Sequence, residues 1–292
     1  MNSILRLIRP YQWVKNLFVF MPLFFGGSLT DASQLWQTII AFIAFSFTAS
    51  SIYCFNDIID VEADRRHAEK CKRPIAAGKI SVAMGYVIMF VCLAVAAASL
   101  FLLRKNIEET AATIAFYFIM EIAYCCHLKR FAVVDVCILA LGFVLRIIAG
   151  GAATGIVPSH WLVMMTFLLT LLMAFGKRRD DVLKFQKTGI PPRHNTKRYN
   201  MEFINQAITV NAATTLVCYI MYTVSPEVTA RFDFNYVYLT AIFVILGLLR
   251  YMQQVVVNQK SGDPTKLVLH DRFLQATVLL WLLSFLAIIY IL

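Results

Sequence analysis

Residues 35–55, LWQTIIAFIAFSFTASSIYCF, form an apolar run that passes without a break into NDIIDVEADRRH, residues 56–67. The first part is long enough to cross a bilayer as a helix, which takes about 20 apolar residues. The second crowds Asn56, Asp57, Asp60, Glu62 and Asp64 against the end of that span. At about 3.6 residues per turn, Asn56, Asp60 and Asp64 share one stripe, with Asp57 close beside it. Like charges at that spacing repel, so a bare helix gains nothing from them. A divalent cation reverses the sign of that cost, and carboxylate oxygens suit Mg2+. A compact basic group, Lys70-Cys71-Lys72-Arg73-Pro74-Ile75, follows directly. An EF-hand is excluded, because there is no central Gly and no terminal Glu at the required spacing.

Working outward, further apolar runs cover 80–103, 110–126, 131–157, 161–176, 203–224, 234–249 and 273–292. The chain of 292 residues is 60% hydrophobic and 15% charged, against about 25% charged in soluble domains. Its mean hydropathy is +0.69. An N-terminal run over 17–29 is interrupted by Pro22 and followed by more spans, which disfavours a cleaved signal peptide. It reads as a first spanning helix that begins before Lys15, with Tyr11 and Trp13 at the headgroup level. Nine transmembrane helices are therefore expected, in an all-α chain treated as one domain over 1–292. No β-barrel alternation is visible, and lipid leaves helices as the other way to satisfy the backbone.

Counting Lys and Arg in alternate loops gives 23 on one side and three on the other, with Arg146 inside a span. By the positive-inside rule the basic face is cytoplasmic. The N-terminus and the long loops 56–79, 177–202 and 250–272 fall on it, and the C-terminus falls opposite, in a plasma or inner membrane. This topology accounts for the formal charge of +10, so nucleic acid is not an expected partner. The seven cysteines form no CxxC pair and lie mostly in apolar runs, where they read as packing residues.

A second constellation, Gly176-Lys177-Arg178-Arg179-Asp180-Asp181-Val182-Leu183-Lys184, follows the sixth span. Lys177 and Lys184 read equally as topology anchors. Three consecutive cations exceed that need; Arg forks suit phosphate, and Asp180 or Asp181 is placed to share a metal. Gln12, Lys15 and Asn16 are candidates for reaching a phosphate at the same face, or are interfacial anchors. Asp135 reads as one end of a local ion pair with Lys129 or Arg130. Arg146 lies deeper, and the expectation is that it snorkels outward. Glu121 needs a partner or a proton. The histidines have neither metal nor triad spacing.

The stretch NDIIDVEADRRH with KCKRPIAAGKIS, residues 70–81, resembles the first Asp-rich motif of the UbiA-type intramembrane prenyltransferases. Within that superfamily, RPYQWVKN (9–16), RPIAAGKIS (73–81), LGFVLRIIAGG (141–151) and FGKRRDD (175–181) resemble the decaprenyl-phosphate phosphoribosyltransferase branch. The resemblance implies nine helices around a central cavity open to the cytoplasmic face. It also implies Mg2+-dependent transfer of phosphoribose from phosphoribosyl pyrophosphate to a polyprenyl phosphate. Prenyl-diphosphate users usually carry a second Asp-rich motif after the sixth helix. Here the position four after Asp180 is Lys184, so the second site is net basic and suits another phosphate better than a second metal.

On this reading Asn56, Asp60 and Asp64 hold Mg2+ on the pyrophosphate, with Asp57 as a ligand or just behind. Lys70, Lys72 and Arg73 share the leaving charge. Lys177, Arg178 and Arg179 hold either the lipid phosphate or the ribose 5-phosphate. The alternative is transfer of a prenyl group from its diphosphate to an aromatic acceptor. A transporter or lipid scaffold is the rival from another class.

Overall fold

A computed structural model describes residues 3–66, 69–232, 235–260, 267 and 270–291. His67 of the acidic motif and part of the loop 250–272 lie outside them. The regular structure of the described residues is all helical, without a strand. Among the described residues eight helices are long and apolar enough to cross a membrane, which makes this a multi-pass membrane protein. They are α3 (Ala32–Ile59), α5 (Val82–Leu100), α6 (Ile107–Cys126) and α7 (Val134–Thr154). The others are α8 (His160–Thr188), α9 (Met201–Val224), the run Val237–Val257 around α11 (Ala241–Met252), and α12 (Arg272–Tyr290). Short helices α4 (Val61–Arg65) and α10 (Pro226–Phe232) fill two of the connections.

Local chemistry sets the ends. Side chains of Asp31, Ser81, Ser159, Asn200 and Asp271 cap the first turns of α3, α5, α8, α9 and α12, each accepting from a backbone N–H at 2.7–3.2 Å. Gly189, at φ 70°, closes α8 in the left-handed conformation that a C-terminal cap favours.

The expected first span is not one continuous helix. It is α1 (Ser3–Ile8), a 3-10 run Pro10–Phe20, and α2 (Met21–Phe25). The cause is Pro10 and Pro22, which remove backbone donors, and Arg9, whose φ of 53° turns the chain between α1 and the 3-10 run. A count of nine spans holds only if this broken run is included.

The chain divides into two compact units: Met1–Lys129 with Leu141–Pro158, and Arg130–Ala140 with Ser159–Leu292. The first is built on α3 against α5, with Leu7, Cys54, Ile58, Ile75, Ile80, Ile88, Met89 and Cys92 in its core. The second is built on α8 against α9, with Val136, Leu172, Phe175, Ile204, Ile208, Leu248 and Val255 buried. All seven cysteines are free thiols; Cys54, Cys92 and Cys125 are buried, and Cys126 is exposed. Large apolar side chains such as Phe90, Phe116, Ile119 and Val210 are exposed. That is the surface lipid requires, since hydrocarbon carries no penalty for them.

Candidate functional site

The acidic stretch sits where α3 ends. Asp60 stops α3 and starts α4, while i to i−4 bonds from Asp60 N to Asn56 O and from Asp64 N to Asp60 O keep the path near-helical. Asp57 is 1% exposed, and Asp64 is also buried. Arg73 joins them: its Nη1 donates to Asp57 Oδ1 at 3.0 Å and to Asp64 Oδ2 at 2.7 Å. Arg9 donates a second charge to Asp57 Oδ1, and its guanidinium lies over the Tyr53 ring at 5.0 Å. Asp60 faces elsewhere, accepting from Lys129 Nζ at 2.6 Å. Burial pushes the Asp64 carboxyl up, and the Arg73 and Lys70 cations pull only partly against it.

Of the sequence-expected metal donors, Asp57 and Asp64 are thus drawn together by one guanidinium, whereas Asp60 pairs separately. Asp57 Oδ2 is buried with no hydrogen-bond partner. Among the described residues no three His, Cys, Asp or Glu side chains converge into a ready-made cage. The donor set fits Mg2+ on these terms. That ion takes one or two carboxylates together with substrate phosphate oxygens, and an orphaned carboxylate oxygen is a donor in waiting. Lys72 is exposed beside the knot.

The basic stretch after the sixth span is committed differently from the expectation. Arg178 is 1% exposed; its Nε donates to Asp135 Oδ2 at 2.6 Å and its Nη1 to Asp181 Oδ2 at 2.9 Å. Tyr199 Oη donates to Asp135 Oδ1 at 2.7 Å and accepts from Val133 N. Arg193 Nε also reaches Asp181 Oδ2, at 2.9 Å. Arg179 donates to Asn205 Oδ1, Val255 O and Val256 O, satisfying carbonyls at the π-helical end of the α11 run. Asp180 pairs with Lys184 at 3.0 Å, and Lys177 is half-buried. The Arg forks therefore hold the second unit together. Asp135 pairs with an arginine 43 residues away rather than with Lys129 or Arg130.

Arg146 does not snorkel. It is 5% exposed on α7, and its Nε donates to Asn16 Oδ1 at 2.8 Å. Nη1 reaches Gly142 O at 2.6 Å and Nη2 reaches Tyr117 Oη at 3.2 Å. Phe45, Tyr117 and Phe143 surround it at 4.9–5.1 Å from the ring centroids. Asn16 is 1% exposed, and its Nδ2 donates to Ser46 Oγ at 2.9 Å, so both ends of its amide have protein partners. Gln12 and Lys15 are half-buried. Trp13 Nε1 donates to Ser50 Oγ at 3.0 Å. Reading the sequence singled out Asn16, Lys129 and Asp135 without their partners, and gave Arg9 no role beyond its motif. RPYQWVKN was the one available signal for Arg9.

Comparison with known proteins agrees with this architecture. A model described as the UbiA prenyltransferase family matches residues 18–276. A decaprenyl-phosphate phosphoribosyltransferase of Mycolicibacterium smegmatis is 34% identical, with 99% of this chain and 93% of that protein aligned. One from Corynebacterium glutamicum is 31% identical, over 99% of this chain and 87% of that protein. Among solved structures, a UbiA homolog from Archaeoglobus fulgidus bound to GPP and Mg2+ superposes with a TM-score of 0.71. It is 19% identical, covering 99% of this chain and all of that one, which establishes the shared fold.

Proposed function

The chain belongs to the UbiA prenyltransferase family, and on that premise we propose that it transfers 5-phosphoribose from phosphoribosyl pyrophosphate to a polyprenyl phosphate. Relatives named for this activity are 31–34% identical across nearly the whole chain. The observation that carries the reading further is the knot in which Asp57, Asp64, Arg73 and Arg9 meet. It offers oxygen donors for a cation and guanidinium donors for phosphate within one cluster.

Asp57 and Asp64 would be the principal carboxylates for Mg2+, with Asn56 and Asp60 from the same stretch beside them. Bound there, the cation would neutralise charge on the departing pyrophosphate. Arg73 is shared between two carboxylates, so it can shift a hydrogen bond to a pyrophosphate oxygen without leaving either acid unpaired for long. Arg9, Lys70 and Lys72 add positive charge around the same place. In the reaction, an oxygen of the lipid phosphate forms a bond to C1 of the ribose. The C1–O bond to pyrophosphate breaks, and its electron pair leaves with the pyrophosphate. The attacking phosphate is ionised near pH 7, so no general base is needed, consistent with the absence of a histidine motif. Gln12 and Lys15 are proposed to reach a phosphate of the substrates, and in the second unit Lys177 is the member of its run kept as a phosphate candidate in its own right. Arg178 and Arg179 instead hold Asp135, Asp181 and the end of the α11 run in place. The reacting face is proposed to be cytoplasmic, where the basic loops gather.

The test supplies purified protein in lipid with Mg2+, polyprenyl phosphate, and either phosphoribosyl pyrophosphate or a prenyl diphosphate with an aromatic acceptor. Release of one pyrophosphate per modified lipid phosphate supports the proposal. Prenylation of the aromatic acceptor, with no reaction of the phosphosugar, would overturn it.

A further inference from the structure

The 3-10 winding of residues 10–20 sorts its side chains into three stripes, because three residues make one turn. Trp13, Asn16 and Val19 form the first. Each is anchored: Trp13 to Ser50, Asn16 to Ser46 and Arg146, and Val19 by its backbone against Gly150. Tyr11, Val14 and Leu17 form the second stripe and are exposed, until Phe20 ends it against Phe42. Gln12, Lys15 and Phe18 form the third. Phe18 packs edge-on against Phe143, one of the rings around Arg146. The third stripe therefore faces the interior of the first unit.

Runs of 3-10 helix longer than about four residues are uncommon, because the hydrogen bonds are poorly aligned. An eleven-residue run needs outside support, and the anchored stripe supplies it. Asn16 is its midpoint. The guanidinium has donors only, so the Asn16 amide must present its oxygen to Arg146 and its nitrogen to Ser46. That orientation admits one rotational setting of the run. Arg146 is itself held by Gly142 O, Tyr117 Oη and the three rings around it, so the guanidinium is a fixed partner for Asn16.

We propose that Arg146 is a positioning residue that holds the 3-10 register through Asn16, and that this register aims Gln12 and Lys15 at a phosphate of the substrate. The proposal rests on the phosphosugar reading above for the identity of that substrate. Arg146 itself does not touch the substrate, and neither does Asn16, whose amide is occupied. Were the run to rewind as an α-helix, Gln12, Lys15 and Phe18 would no longer stand on one line.

The test uses Arg146→Lys, which keeps the charge and loses the fork, together with Asn16→Ala, Asn16→Asp and the double variant Arg146→Lys/Asn16→Ala. Each of the first two is expected to raise the KM for phosphoribosyl pyrophosphate about tenfold or more, as for loss of a charge-assisted bond, with a smaller effect on kcat. The double variant should be no worse than the worse single one, since both remove the same link. Asn16→Asp keeps an acceptor for Arg146 and should raise the KM less than Asn16→Ala. Hydrogen exchange, read in the same proteins without any substrate, should show lost protection over 15–20 in Arg146→Lys while α7 stays protected. Unchanged exchange there, or multiplying effects in the double variant, would overturn the proposal. If the wild-type protein moves no phosphoribose, the functional reading fails, and the exchange result still decides whether Arg146 holds the register.

Discussion

Replacing Gly150 by Ala tests how the N-terminal run is held against α7. A Cβ at position 150 would lie 1.9 Å from Val19 O, 2.8 Å from Val19 C and 3.2 Å from Val19 Cα, all backbone atoms. No rotamer relieves such an overlap, so the two backbones must part by roughly 1.5 Å or more to reach ordinary contact. In an unobstructed helix the change would gain about 1 kcal/mol from helix propensity. Here overpacking costs about 1–3 kcal/mol, and displacement of the run also loosens the Arg146 bond to Asn16, worth about 1.5–3 kcal/mol. The net expectation is a loss of ~1.5–5 kcal/mol, or a fall of roughly 3 °C or more in Tm. Thermal unfolding in lipid nanodiscs reads this directly. Gly247→Ala, in α11, is the control. Its Cβ would meet Thr277 Cγ2 at 3.6 Å, an ordinary contact, so the Tm should not fall. Equal behaviour of the two variants, or a Gly150→Ala protein as stable as wild type, would refute the close docking of Val19 on α7.

Asp57→Asn removes the charge that Arg9 and Arg73 share. Transfer activity should fall by at least about 100-fold, while the protein still inserts and Arg73 keeps Asp64; wild-type turnover would count against the knot. Asp135→Asn leaves the buried Arg178 with Asp181 as its one carboxylate, and should cost about 1.5–3 kcal/mol, the worth of a hydrogen bond to a charged group, seen as a lower Tm. An unaltered Tm would mean that Arg178 does not hold the second unit. The hydrogen bond from Arg250 sets the Asp271 carboxyl below the usual carboxylate range, aided by the Leu274 N–H and opposed by burial. A depressed folded-state pKa contributes stability above the unfolded value near about 3.9, and this is lost as pH falls through the folded value. Wild type should therefore lose α12 protection to hydrogen exchange on acidification through that window. Asp271→Asn should start about 1 kcal/mol weaker and show a flatter response; identical profiles would contradict the assignment.

The membrane spans were legible because hydrocarbon imposes one requirement on every residue of a span, and the caps at Asp31, Ser81, Ser159, Asn200 and Asp271 mark where it ends. The N-terminal run was not legible in the same way. Its hydropathy suits a span, yet Pro10, Pro22 and the left-handed Arg9 break it, and a three-residue repeat is hidden when Gln12, Lys15 and Asn16 are split between two stripes that also carry aromatic side chains. The acidic stretch announced itself through the repulsion it would suffer without cations. Which cations answer it could not be read, because Arg9 and Lys129 lie 48 and 69 residues from Asp57 and Asp60. Lys177-Arg178-Arg179 shows the limit of charge type as a guide. A guanidinium fork fits carboxylates and carbonyls as well as phosphate, and the second unit uses Arg178 and Arg179 for the former. Arg146 shows the same limit in the spans, since a cage of rings contributed by three helices leaves no local mark.

The most direct measurement is transfer of pentose label from phosphoribosyl pyrophosphate to polyprenyl phosphate, by wild-type protein and by Asp57→Asn and Asp64→Asn variants in lipid, across a Mg2+ titration. The account predicts Mg2+-dependent appearance of label in the lipid for wild type, and its loss in both variants at equal protein yield. Label that stays in water with wild type, or variants that transfer it as well as wild type, would contradict the account.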